Sequence, residues 1–419
     1  MTTPTPAAEP SRLDRRLGLG DAVVIGLGSM LGAGVFSAIG PAARVAGSGL
    51  LIGLAIAAAV AYCNATSSAA LAARHPVSGG TYVYGRERLG DVWGYVAGWG
   101  FVVGKSASCT AMALTFGAYA APSWERPLAV TAVVVLTAVG YRGIGKTAAL
   151  TRVLVAAVLA ALVVVVVGAA SGGGTDAGRL DDLTAEGPYA ILQAAGLLFF
   201  AFAGYARIAT LGEEVADPAR TIPKAIPRAL GITLAVYAAV AVAALAAVGP
   251  AALAGSATPL ATAVRAGDLH GLAPIVRIGG TVAALSVLLS LIAGVSRTVF
   301  AMATQGDLPR WLGAVHPRHR VPHRADVAVG TVIAVAVAVT DLRHAIGFSS
   351  FCVLTYYAIA NASAWTLPPE ERRWPRWLAG AGVIGCTLLA VTLPAASVLA
   401  GAGVLVAGLL LRVARPTHR

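Results

Sequence analysis

The sequence predicts an all-α protein that crosses a membrane many times, and three observations carry that reading. The 419 residues are 57% hydrophobic and 12% charged, with a mean hydropathy of +0.77; soluble domains carry about 25% charged residues. The apolar residues come in long runs, 154–170 with its flanks among them, of the length that reads as a transmembrane helix. Two of the runs are broken near their middles by small residues, at corresponding places along the chain. One holds Gly26, Gly28, Gly32, Ala33 and Gly34; the other runs from Phe199 to Thr210 through Gly204. Such pairing points to a ligand site at mid-membrane. Unwound backbone is tolerated at that depth only where protein, water or a ligand satisfies its N–H and C=O groups.

Twelve spans follow from the apolar runs: residues 20–42, 48–74, 91–120, 127–141, 148–170, 188–212, 227–249, 272–303, 325–341, 344–367, 376–393 and 395–413. The first follows a polar tail bearing Arg12, Arg15 and Arg16 and carries the first break. The second ends on Arg74. The third holds a charged residue, Lys105, near its middle. The fourth and ninth are the shortest. The fifth leads into the acidic, glycine-rich loop 171–187, and the sixth carries the second break. An even number of spans returns both termini to one side.

The loops set the orientation. Of 31 lysines and arginines, 23 lie on the side of the termini. Six lie opposite (Arg44, Arg126, Arg179, Arg265, Arg277 and Arg343), and Lys105 and Arg207 fall within spans. This asymmetry predicts cytoplasmic termini. The loop 171–187 is then outside and the loop 304–324 inside, where Leu308, Pro309, Arg310, Trp311 and Leu312 are expected to lie along the interface. The same distribution accounts for the net charge of +12 and the pI of 10.0 without a nucleic-acid partner. The segment before Phe36 is read as retained rather than as a cleaved leader, since cleavage would delete one of the two breaks.

Several function classes fall away. Cys63, Cys109, Cys352 and Cys386 lie in apolar spans without zinc or redox spacing, as small apolar fillers do. His75, His270, His316, His319, His323, His344 and His418 lie in loops or at span ends. No zinc-protease motif, phosphate loop or embedded aspartate pair occurs, so neither an enzyme nor an ATP-driven pump is expected. No continuous polar ring along a pore suggests a channel. A sensor built on the same architecture is the remaining rival, and the tails are short for one.

The two breaks offer complementary chemistry. At Gly32, Ala33 and Gly34 nothing bulky blocks the backbone, and the half-helix beginning there presents free N–H groups and a positive dipole end, which suit a carboxylate. At Phe200, Ala201, Phe202, Ala203 and Gly204 a half-helix ends, and its carbonyls suit an ammonium. A zwitterion of the α-amino-acid type matches both. Phe202 is placed to close over it.

Four stretches resemble the amino acid–polyamine–organocation superfamily of permeases: 26–36 with Pro41; 199–214 continuing through Asp217, Pro218, Arg220, Pro223 and Lys224; 296–303, beginning Ser-Arg-Thr-Val-Phe; and 76–84, Pro-Val-Ser-Gly-Gly-Thr-Tyr-Val-Tyr. They occur in the family's order over most of the chain. The resemblance implies a leucine-transporter-type fold, in which spans one to five and six to ten form a five-plus-five inverted repeat with broken first and sixth helices. It divides the chain into a cytoplasmic tail 1–19, a ten-helix transport core 20–367, two peripheral helices within 368–413 and a tail 414–419. It further implies that the Gly32–Gly34 backbone holds a substrate carboxylate and that the carbonyls of Met30, Phe200 and Ala203 hold its amine. Phe202 would gate the site, and the third span would line a side-chain pocket around Ser106 and Cys109.

The chain departs from the family at two places. Proton-coupled relatives carry a lysine midway along the fifth span, where this chain has Val158. Relatives also place an acidic or small residue soon after the second break, where this chain has Arg207. Lys105 has no acidic partner in any span interior, and charge at such depth is costly and usually functional. Desolvation disfavours its charged form, so it is a candidate proton-linked switch. Arg207 is expected to brace the cytoplasmic half or to meet an anionic substrate group. Glu213 and Glu214 are candidate latch residues, and Ser286 and Ser290 a candidate sodium-like site. Together these readings predict a secondary active permease of the plasma membrane for small or apolar neutral amino acids, working by alternating access. No cofactor is expected beyond a coupling proton, with sodium as the alternative ion. Exchange or export of amino acids, amines or carboxylates is the alternative function.

Overall fold

The computed structural model describes residues 17–74, 79–143, 148–172, 174–205, 208, 215 and 217–414. Among these the chain is helical throughout, apart from an isolated bridge between Leu17 and Val215. In lipid a helix satisfies its own backbone, which loops and open strands cannot do. The helices are α1 Leu19–Met30, α2 Ala33–Ala46, α3 Leu50–Arg74, α4 Thr81–Leu89, α5 Asp91–Ala120, α6 Glu125–Tyr141, α7 Ala148–Ala170, α8 Gly187–Phe202, α9 Pro218–Gly255, α10 Pro259–Arg265, α11 Ala273–Thr304, α12 His323–Val339, α13 Leu342–Trp365, α14 Arg376–Thr392 and α15 Ala395–Val413. Eight helical stretches of the described residues are long and apolar enough to cross a membrane, and α1 and α14 are shorter apolar helices.

At the centre stands α5, packed against both α11 and α13. The breaks are carried by a second group, in which α2 and α3 pack on α8, and α9 packs on α1, α2 and α3. α6 lies against α12, while α14 lies against α13 and α3. Outer faces stay apolar: Val153, Ile278, Val339, Ile384 and Leu399 are exposed, a pattern that fits a hydrocarbon surround. Within the packing, Asn361 on α13 donates to Asn64 Oδ1 on α3 at 2.6 Å, and the Cys386 thiol on α14 donates to the same oxygen at 3.1 Å. Cys386 is therefore more than filler, although all four cysteines are free of disulfides.

Two sequence expectations are corrected, and two features are new. The seventh span was placed at 227–249, yet α9 is helical from Pro218. Asp217 caps it by accepting from the Arg220 N–H at 3.2 Å, and Pro218 sits in the first turn, where no donor is needed. The interior Pro223 and Pro227 argue for a loop by local preference alone, but burial of Ile222, Ala225 and Ile226 holds the helix. At its other end Gly249, with φ 74°, kinks the chain into Pro250. Two short helices, α4 and α10, stand where no span was expected. Leu308 and Leu312 are buried instead of lying along an interface, while Pro309, Arg310 and Trp311 between them are exposed. His316, His319 and His323 form one cluster. Their rings gather on Tyr141, with His316 4.7 Å from His319 and 5.3 Å from His323 between centroids.

Candidate substrate site at the helix breaks

The first break is the two-residue step from Met30 to Ala33. α1 ends as the Leu31 N–H bonds back to Leu27 O at 2.7 Å, and α2 begins after an extended Gly32. The first N–H groups of α2 then have no partner within their own helix. The second break begins where α8 stops at Phe202 and tightens into the turn Ala203–Tyr205. The breaks touch each other. A Cβ on Gly204 would overlap the Ser29 carbonyl and lie 2.8 Å from the Met30 nitrogen. A Cβ on Gly34 would lie 2.8 Å from the Ala201 Cα. Glycine at these two positions is what lets the two main chains come together.

Two tyrosines close the geometry. Tyr237 on α9 donates its hydroxyl to Met30 O and also to Ala201 O, the latter at 3.1 Å. Tyr357 on α13 reaches Ala203 O at 3.3 Å. These are carbonyls of both breaks, so the tyrosines hold acceptors that an unwound segment would otherwise leave bare. Phe202 is fully buried and stands edge-on to Tyr237 at 5.2 Å. Phe200 is half-buried. Replacing Tyr237 by Phe leaves two buried carbonyls short of a donor, at a cost of about 1–3 kcal/mol. The expected result is a lower melting temperature in detergent and a raised KM for transport, both measured against wild type.

Beside the breaks lies an apolar cleft of about 240 Å³, lined by Val35, Ala38, Leu54, Leu198, Ala201 and Tyr237 among others. It opens on the first turn of α2 and is walled by α2, α3, α8 and α9. Of the α5 residues expected to line it, Ser106 returns its hydroxyl to Val102 O at 2.8 Å, and Cys109 is buried in the core. α5 meets α2 further along, where the Tyr119 hydroxyl donates to Phe36 O at 3.2 Å and the rings pack edge to face.

Lys105 is buried, 7% exposed, and its ammonium makes no hydrogen bond or ion pair among the described residues. Gly98 and Tyr119 lie on the same stripe of α5, and both face α11: Gly98 approaches Met302, and Tyr119 lies over Gly280. On α7, Val158 is buried, and the neighbouring Val155 would meet a Cβ on Gly28 at 2.8 Å. The fifth-span position is thus a buried hydrocarbon. Ser290 is exposed and donates to Ser286 O at 3.2 Å. Arg207, Glu213 and Glu214, and the Ala33 side chain, lie outside the described residues.

One inner tie escaped the sequence reading. Asp307, just beyond α11, accepts from Tyr82 and Arg86 of α4, both at 2.7 Å, and lies 3.9 Å from Arg412 of α15. The Pro-Val-Ser-Gly-Gly-Thr-Tyr stretch leading into α4 was its only signal. A second tie pairs Asp21 of α1 with Arg152 of α7.

Apolar helices long enough to cross a membrane, meeting at two touching unwound segments, define a multi-pass membrane transporter rather than an enzyme. Residues 21–368 match the family model for amino acid permeases, and the chain belongs to that family. It is 63% identical over 399 residues to an uncharacterized transporter of Mycobacterium tuberculosis, covering 95% of this chain and 91% of that one. It is 25% identical over 388 residues to a branched-chain amino acid permease of Bacillus subtilis, covering 87% and 83%. It is 26% identical over 391 residues to a methylthioribose transporter of the same organism, covering 86% and 83%.

Proposed function

We propose that this permease is a secondary active transporter of small or apolar neutral amino acids, working by alternating access in the plasma membrane with both termini cytoplasmic. The observation that carries the reading is the contact between the breaks. Free N–H groups at the start of α2 face an anion, carbonyls at the end of α8 face a cation, and an apolar cleft adjoins both. A carboxylate, an ammonium and an uncharged side chain are the three parts of a neutral amino acid. No acidic residue lines the cleft, which disfavours a cationic side chain. The branched-chain permease among the relatives supports the same substrate class.

The packing supports twelve spans with a five-plus-five repeat. α5 lies against α11 and α6 against α12, third with eighth and fourth with ninth, and the helices of the two breaks pack on one another's followers. Spans one, two, six and seven would then rock against three, four, eight and nine. Tyr237 and Tyr357 orient the carbonyls of the breaks, whose second lone pairs are left for a substrate ammonium. Protons are the coupling ion in this reading, with Lys105 as the group that gains and loses one.

Binding of leucine or alanine by the purified protein tests the two ends separately. Each amino acid is expected to raise the melting temperature, whereas its decarboxylated amine and its deaminated acid do not. Equal stabilisation by either analogue contradicts a site that reads both charges.

A further inference from the structure

We infer that the cleft between the inner ends of α3, α13 and α14 binds the phosphate-bearing headgroup of an anionic phospholipid. A space of about 300 Å³ opens there, lined by Thr66 and Ser67 of α3 and by Arg372, Arg373, Trp374 and Arg376. Three arginines within five residues converge on it, each already oriented or free. Arg372 is anchored by its Nε, which donates to Leu367 O at 2.6 Å. Arg376 is stacked over the Trp365 ring at 4.1 Å. Arg373 is exposed and has no polar partner among the described residues. The nearby carboxylate of Glu371 is taken by Arg74 at 3.0 Å, and Glu370 lies one residue before it. The cleft therefore keeps a positive surplus, with the first turn of α14 adding its N–H groups.

Its surroundings select a lipid over a free anion. Trp374 plugs the protein side, in a small core with Leu71, Ala364 and Leu367. On the outer side Trp377 is 65% exposed, and Ile384, Leu388 and Val391 continue one exposed apolar stripe down α14. Tryptophan beside arginine at the end of a span marks the membrane–water boundary. A headgroup seated among the arginines would run its acyl chains along that stripe. Thr66 and Ser67 lie on α3, a helix of the break-bearing group, so the lipid would bridge that group to the peripheral α14.

Native mass spectrometry of the full-length protein, from vesicles of equal phosphatidylglycerol and phosphatidylcholine, tests the assignment. Wild type is expected to retain phosphatidylglycerol preferentially, and each arginine-to-glutamine change to lower that preference roughly fivefold. The triple variant Arg372→Gln, Arg373→Gln, Arg376→Gln would lose it. Arg310→Gln, in a different loop, would not. Arg373→Gln removes no contact within the protein, so it carries the test should the triple variant misfold. Equal retention of both lipids by wild type overturns the proposal, as does an unchanged preference in Arg373→Gln. Displacement of the lipid by millimolar inorganic phosphate would make this a free-anion site and overturn the lipid assignment.

Discussion

Gly204→Val is expected to abolish transport while leaving the protein in the membrane. The side chain would enter space held by main chain: its first carbon overlaps the Ser29 carbonyl and lies 2.8 Å from the Met30 nitrogen. A neighbouring side-chain tip swings aside cheaply, but backbone at a helix break does not. Overpacking typically costs about 1–3 kcal/mol. Here it acts at one of the two close contacts that align the breaks, so the expected loss of uptake is about a hundredfold, near the upper end of that cost. Gly20→Val serves as the control, because a Cβ there meets nothing within 4 Å. Uptake by Gly204→Val within a fewfold of wild type would mean that the breaks need not touch.

Lys105→Met should separate coupling from transport. Methionine keeps most of the bulk and removes the charge, so packing on α5 is largely preserved. An ammonium with no counter-charge among the described residues is expensive at this depth, and a group with that cost is retained where the cycle uses it. Gradient-driven accumulation is expected to fall to the level seen without a gradient, a loss of about tenfold for a one-proton symporter working against one pH unit. Counterflow between amino acid inside and outside should persist, since exchange does not require the proton to be released. Undiminished gradient-driven accumulation in Lys105→Met would leave the lysine a structural role and remove it from the mechanism.

The breaks were legible because glycine and small residues interrupt otherwise continuous apolar runs at Gly32–Gly34 and Phe200–Gly204; the helices stop beside them, at Met30 and at Phe202. Most span ends were legible for a similar reason, since charged and glycine-rich segments bound them. The caps on the breaks were not. Tyr237 and Tyr357 sit in apolar helices, where a tyrosine looks like core; only tertiary packing aims their hydroxyls at the carbonyls of other helices. The start of α9 was hidden by Pro223 and Pro227, whose local cost is outweighed by the burial of their neighbours. The location of the side-chain cleft also needed the packing. The cleft beside the breaks is lined from α2, α3, α8 and α9, without Ser106 or Cys109. Lys105 was visible at once as a charge in an apolar span; that it meets no polar partner among the described residues is a property of the fold.

The site at the breaks is tested most directly by uptake into proteoliposomes of radiolabelled amino acids, with and without an inward proton gradient. Accumulation of small or apolar neutral amino acids, stimulated by the gradient and blocked by Gly204→Val, is the expected result. Uptake confined to cationic amino acids, or to amines or acids that lack one of the two charges, would contradict it.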